Sequence, residues 1–531
     1  MPPARRLRRL PAPDRRARPL GAVVLALLVG AAVALPVAAV DPEASLAPEA
    51  SIAVSPSASA SASASPSASA SASPSSSASA SPSASPTASP SPTPTASPTP
   101  TPSPTPTPSP TPTPSPTWPA MGWPTSATTL GTTTTFYGRG WGHGVGLNQY
   151  GAKGRALAGQ TAEQILAAYY KGAKPVTVSP TQNVRVLVLA GYNAVKLAPL
   201  VIHGRETEWK VDGIAKTFPA GGVLTLYRST STVDGVSTTT WRLRVYAADG
   251  ATLLHSAVVS GSVVVRPTSI WTRLQLDSRP SSYDTYRGLL KVKLGPSSAT
   301  VINHVELDLY LRGVVPVEMS PDWPAEALRA QTAAARSYAV RRLHPGEGSF
   351  DVYDDTRSQV YRGVEAERSA TSSIIRRFPG QVIAVNGTIV NAFFFATGGG
   401  STENNEYVFV SSSGAVGSAV AYLRGIPDRR PDGTPWDAGA PRWSWTTSSL
   451  TRAQLSTMFK GDSRTNVGDL TKLDLTKRGV SGRLYRVTLY GSAGSKTVSA
   501  DVFRAVYNAR RPAGTLSLQS NLFDTKAIAG S

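Results

Sequence analysis

In the stretch "LRGVVPVEMSPDWPAEALRAQTAAARSYAV", Leu311 to Val340, one of three acids, Glu318, stands among Val314, Val315, Val317, Met319 and Trp323. A carboxyl held among apolar groups is hard to ionise, so its pKa rises. A raised carboxyl can hand a proton to a leaving oxygen near neutral pH, as a glycosidic acid must. The same residue also reads as a surface glutamate near a helix start, favoured by the dipole. A second stretch, "FYGRGWGHGVGLNQYGAKGRALAGQ" (Phe136 to Gln160), has glycine at 138, 140, 142, 144 and 146. In an extended run alternate residues point to opposite sides. The glycine side then lets the backbone approach a packed neighbour or a sugar ring, while Arg139, Trp141 and His143 face the other way. An indole is a platform for a pyranose ring, and Arg and His grip carboxylates or hydroxyls. The other reading is a tight loop in which His143 is a structural hydrogen-bonder.

These residues need elements to position them. Thr161 and Gln164 form a capping-box pattern with Glu163 in the first turn, which predicts a helix from Ala162 to Lys171 ended by Gly172. From Val184 to Leu276 the period changes to that of strands, with Asp249-Gly250 as a hairpin signal. Tyr286–Gly295 and "TVINHVEL" add two more strands. Leu307, Tyr310, Leu311 and Val314 share a helical face, with Gly313 and Pro316 expected to end it. A second helix follows, with Pro324 in its first turn. Its small stripe of Ala327, Ala330, Ala334 and Ala335 implies close packing. Asn386-Gly387 predicts another hairpin tip, and the last segment reads as strands, helix and coil. The fold class is α+β: a mixed, β-rich lobe with a helical subdomain that carries the Glu318 loop. Glu318 is expected in a loop between two helices, stiffened by Pro316 and Pro321.

The chain has 531 residues, and not all of them read as globular. Residues 1–40 open with seven arginines and continue as an apolar run from Leu20 to Val40, with "VAA" at Val37–Ala39. This reads as a signal peptide, or as a signal anchor if uncut. Residues 41–117 are almost wholly Ser, Ala, Pro and Thr, a disordered linker with polyproline II bias. The folded part is then 118–531, with a glycine segment (136–172), a β-rich lobe (180–285) and a core carrying Glu318 (286–525). The chain has no cysteine, which excludes disulfides, Cys-ligated zinc and thiol nucleophiles. Formal charge is +20. Without residues 1–40, which hold seven Arg and Asp14, 46 basic residues stand against 32 acidic ones, or +14. Two readings stand for that charge: an anionic partner such as a wall polymer or phospholipid headgroups, or solubility alone. The lack of a recognisable binding motif argues against nucleic acid.

Four stretches together resemble the stage II sporulation protein D family, also called the SpoIID/LytB domain. They are "GRGWGHGVGLNQYGAKG", "DLYLRGVVPVEMSPDWPAEALRAQTAAARSYAV", "DVYDDTRSQVYRG" and "FFFATGGGSTENNEYVF". The family includes exported lytic transglycosylases that cut peptidoglycan glycan strands and leave 1,6-anhydro-muramyl ends. Other members are described as modifiers of autolytic amidases, so an amidase partner is a second expectation. The resemblance implies Glu318 as the catalytic carboxyl and no cofactor. It suggests substrate-binding positions at Arg139, Trp141, His143 and Gln149, at Asp354, Thr356, Gln359 and Tyr361, and at Thr402 and Glu403. Glu403 is the obvious second carboxyl, beside Gly398-Gly399-Gly400, whose amides are suited to meet a ligand. Arg336 and Tyr338 read as helix-packing residues. The chain departs from the family in two ways. The GHGVG segment opens the domain instead of closing it, which a circular permutation explains if that segment packs beside the last residues of the chain. And Tyr353, Arg357 and Ser358 stand where some relatives carry Cys and His zinc ligands, so no structural metal is expected.

Overall fold

The computed structural model describes residues 123–200, 208–344 and 346–528. The expected leader (1–40) and linker (41–117) lie outside these residues. The described part is α+β, built around three hydrophobic cores.

The first core lies between two sheets. One is six-stranded, in the order 253–259, 236–246, 223–233, 194–200, 273–275, 285–286. The other is seven-stranded, in the order 352–353, 183–192, 299–306, 289–294, 262–267, 209–211, 217–218. Alternation sets which face is buried: Leu224, Leu226, Leu243 and Val245 point in, while Thr225, Tyr227, Arg242 and Arg244 are half-buried on the other face. The Asp249-Gly250 hairpin forms, with the Gly250 N–H bonded to the Ala247 carbonyl. Strands on either side of residue 285 share the seven-stranded sheet.

The helix Ala325–Val340 joins the first core to the third, and most of it is buried. Ala335 and Ala339 belong to the first core, Ala327, Ala330, Ala333 and Ala334 to the third. Only small side chains let a helix be covered on both sides, which is why alanines dominate it. The Thr161 capping box forms, with the Thr161 N–H donating to Gln164 Oε1 at 2.8 Å. The helix it starts ends at Tyr169 and not at Lys171. Tyr170 turns extended so that its buried hydroxyl reaches the Phe393 carbonyl at 2.7 Å. The Asn386-Gly387 tip also forms, both residues taking positive φ (48° and 77°) between paired strands.

The second core is C-terminal, with helices Arg452–Lys460 and Ala500–Arg510 on a four-stranded sheet. The chain's opening segment is built into it. Strand Tyr137–Arg139 lies between Ser444–Thr446 and Phe523–Asp524, antiparallel to both, and Phe136 packs edge-on against Phe503, Tyr507 and Phe523. The glycine segment therefore does pack beside the far end of the chain.

Candidate active site

Glu318 ends a single helical turn, Val315–Glu318, which follows directly on the helix Leu307–Arg312. Pro316 was expected to stop a helix; it sits instead within the first residues of this turn, where its missing N–H costs nothing. Val317 and Glu318 both donate their N–H to the Val314 carbonyl, at 3.0 and 3.1 Å. Val314 and Val315 are buried in the first core and Met319 in the third, so the glutamate sits on the seam between them. The residue as a whole is half-buried, and its carboxyl is enclosed by protein.

The carboxyl has few partners. The Val360 N–H donates to Oε1 at 3.2 Å, and the Gln149 side chain lies close by. Among the described residues no Lys or Arg forms an ion pair with it. Burial pushes its pKa above the usual carboxylate value, opposed in part by the Val360 N–H and by Gln149. The rings of Tyr310 and Tyr338 stand near enough to feel its charge.

Gln149 reaches this place from a distant part of the sequence. Strand Leu147–Asn148 pairs in parallel with Phe394–Phe395, and the helix Gln149–Leu157 starts there and packs on Ala325–Val340. Gln149 is buried, and its amide nitrogen completes no hydrogen bond within the protein. The glycine segment delivers it, but not as the expected extended run. Gly140, Gly142, Gly144 and Gly146 take φ of 73°, 103°, 92° and 75°, so the chain turns at alternate residues and Arg139, Trp141 and His143 share no common face. A Cβ on Gly146 would strike the Phe393 carbonyl, and one on Gly144 the Arg483 guanidinium.

Several expected ligand residues are spent on the fold. Arg139 is buried, donates to the Ile528 carbonyl at 3.3 Å and lies over the Trp443 ring. Trp141 is half-buried and joined by a backbone bridge to Thr397. His143 accepts the Val145 N–H on Nδ1 at 3.0 Å and packs among Phe393, Phe395 and Phe409. Burial lowers its pKa to about 4, with Arg483 adding to the effect, so the ring is neutral. This fits the structural hydrogen-bonder reading.

In the 351–363 stretch, Asp354 pairs with Arg279 at 2.6 Å, and Thr356 is exposed. Gln359 is buried between the Tyr310 hydroxyl and the Ala335 carbonyl. Tyr361 is a core residue, its ring tilted against that of Tyr310, and it donates to Asn303 Oδ1 at 3.0 Å. What this stretch gives Glu318 is a backbone amide, that of Val360. Tyr353, Arg357 and Ser358 form a local knot: Arg357 lies over the Tyr353 ring, and Ser358 Oγ accepts the Tyr353 N–H.

Thr402 is buried, its hydroxyl accepting the Ile426 N–H at 3.0 Å. Glu403, the expected second carboxyl, is fully buried and accepts from Asn404 N, Val480 N, Ser481 N and Ser481 Oγ at 2.7–3.0 Å. Those bonds consume its acceptor capacity. The Gly398 and Gly399 amides are likewise taken, by Asp437 Oδ2 at 2.7 and 2.9 Å, so the chain's own carboxylate fills the place foreseen for a ligand. Arg336 packs as expected, between Asp308 and the Gln381 carbonyl.

Of the expected set, then, only Gln149 comes beside Glu318 with its polar group uncommitted. The Val360 amide left no trace in the sequence, since any residue supplies an N–H. Tyr310 was visible only as a helix-face aromatic.

Residues 296–389, which contain Glu318 and Val360, match the SpoIID family, described as Stage II sporulation protein. Over that stretch the chain is similar to the SpoIID family. It is 27% identical over 242 residues to Stage II sporulation protein D of Bacillus subtilis, which covers 41% of this chain and 64% of that protein. It is 30% identical over 161 residues to an amidase enhancer of the same organism, 30% of this chain and 21% of that protein. It is 38% identical over 128 residues to an uncharacterized protein of Brachyspira hyodysenteriae, 24% of this chain and 33% of that one. The chain thus spans less than two thirds of the length of each of these relatives. Within the SpoIID match, Glu318 stands out as a carboxyl enclosed by protein and, among the described residues, without an ion-pair partner.

Proposed function

We propose that this protein acts at the cell wall as a lytic transglycosylase on peptidoglycan glycan strands, with Glu318 as the general acid and then base. The observation that carries the reading is the contrast between the two enclosed glutamates. Glu403 is fully buried and accepts four hydrogen bonds, whereas Glu318, half-buried as a residue, accepts the Val360 N–H and has Gln149 beside it. A carboxyl biased towards its protonated form is suited to protonate the glycosidic oxygen.

In this reaction the Glu318 proton goes to the leaving O4 as the C1–O4 bond breaks. The sugar's own 6-hydroxyl forms the new C1–O6 bond, and its proton returns to the Glu318 carboxylate. No water is consumed. A second carboxylate to hold one, as inverting glycosidases use, is not needed, which agrees with the commitments of Glu403 and Asp354 elsewhere. The apolar run in residues 1–40 supports export, and the Ser/Pro/Thr-rich linker supports reach into the wall. The net positive charge suits anionic wall polymers.

A second reading, a wall-binding module that stimulates an autolytic amidase, is favoured by the similarity to an amidase enhancer. Digestion of purified glycan strands separates the two. Transglycosylation yields products lighter by one water than hydrolysis products, and none from Glu318→Gln. Binding without cleavage by the wild type, with peptide-bond cleavage appearing only when an amidase is added, would establish the second reading.

A further inference from the structure

Beside Glu318 lies a group of side chains that the reaction itself does not use. Trp323 follows in the turn just after Glu318, its N–H bonded to the Ser320 carbonyl at 3.0 Å. Tyr150 comes from the helix that begins at Gln149. The two rings meet edge to face, centroids 4.7 Å apart and planes at 65°. Lys153 places its ammonium 5.0 Å from the centre of the indole and 5.9 Å from that of the phenol. All three are half-buried, with part of each side chain in solvent. Among the described residues Lys153 makes no ion pair. On the helix Lys153 stands four residues after Gln149, so both lie on one face, roughly 6 Å apart along the axis. The face that turns Gln149 to the acid therefore turns Lys153 to the neighbouring surface.

We propose that Tyr150, Trp323 and Lys153 form a sugar-binding subsite next to the Glu318 position, specific for a pyranose that carries an acidic substituent. This rests on the transglycosylase reading for its place along a glycan, though not for its chemistry. Two rings at an angle make an apolar corner against which a sugar's C–H face can lie. A cation held over an aromatic by a weak attraction is pre-positioned and still free to pair with an anion. A carboxylate on the sugar ring meets that need; a neutral N-acetylhexosamine uses the corner alone.

The test is binding measured by calorimetry in the uncleaving Glu318→Gln protein. The probes are a neutral N-acetylglucosamine oligomer and an oligomer of equal length whose alternate sugars bear a free lactyl carboxylate. The acidic oligomer is expected to bind more tightly. Lys153→Met should weaken it by about fivefold, to the level of the neutral oligomer, and leave the neutral one unchanged. Trp323→Ala should weaken both by at least about tenfold. Circular dichroism and thermal scans of each variant serve as the folding control. Equal binding of both oligomers, or a Lys153→Met protein that still prefers the acidic one, overturns the proposal. Cleavage by the wild type is scored separately: a wild type that binds as expected and never cleaves would defeat the enzymatic reading and leave the subsite standing.

Discussion

The side-chain amide of Gln149 lies beside the carboxyl of Glu318, although the two stand far apart in the sequence. One arrives on a helix that starts from a glycine-rich turn, the other on a single turn between two cores. The pairing sets both the charge state of the acid and the way to perturb it.

Because burial raises the Glu318 pKa, the acid form persists above the usual carboxylate range. Cleavage should therefore fall as pH rises through that value, and Glu318→Gln should lower the rate by about 10²–10⁴-fold. The same substitution acts on stability in the opposite sense. A group whose folded pKa is raised favours the native state at low pH and loses that contribution as pH rises through the folded pKa. Glu318→Gln should thus raise Tm at neutral pH, by a margin that vanishes at acid pH. Thermal scans across pH check this; a Tm deficit at neutral pH would contradict it.

Replacing Gln149 by Glu puts a second carboxyl beside the first. Like charges at this range raise the pKa of one of them, so the falling limb of the pH–rate profile should move to higher pH. Gln149→Ala, which removes the amide beside the carboxyl, should reduce kcat without moving Tm by more than a few degrees.

The glycine segment supplies a test of backbone geometry. Gly146→Ala places a methyl against the Phe393 carbonyl at positive φ and should cost about 3 kcal/mol or more. Gly159→Ala, also at positive φ but with open space around its Cβ, should cost only about 1 kcal/mol. Urea unfolding of the two variants gives the comparison.

His143 is neutral in the fold, with its pKa lowered to about 4. A histidine whose folded pKa lies below its unfolded value near 6.5 stabilises fully above that value and progressively less as pH falls towards 4. The loss is at most about 3 kcal/mol. His143→Gln, which keeps an acceptor for the Val145 N–H, should flatten the decline of Tm between pH 6.5 and 4.

Much of this protein is written in local pattern. The capping box at Thr161, the Asn386-Gly387 tip, the Asp249-Gly250 turn and the alanine-rich helix all follow from short-range rules, because caps and turns are satisfied by neighbours in sequence. Glu318 stands out in the sequence by its apolar chain neighbours, and its role as the acid is what the resemblance implies. The reason given for its raised pKa was only half right. Val314, Val315 and Met319 turn into two cores, and enclosure comes from the seam between those cores. Tertiary structure alone decided which polar residues remained uncommitted. Arg139, Gln359, Tyr361 and Glu403 looked as available as Gln149, but each met a hydrogen-bond partner far away in the chain, and His143 bonded to Val145 inside a pocket of distant aromatic rings. A buried polar group must take such a partner wherever the fold brings one, and the sequence does not say which groups will be left without.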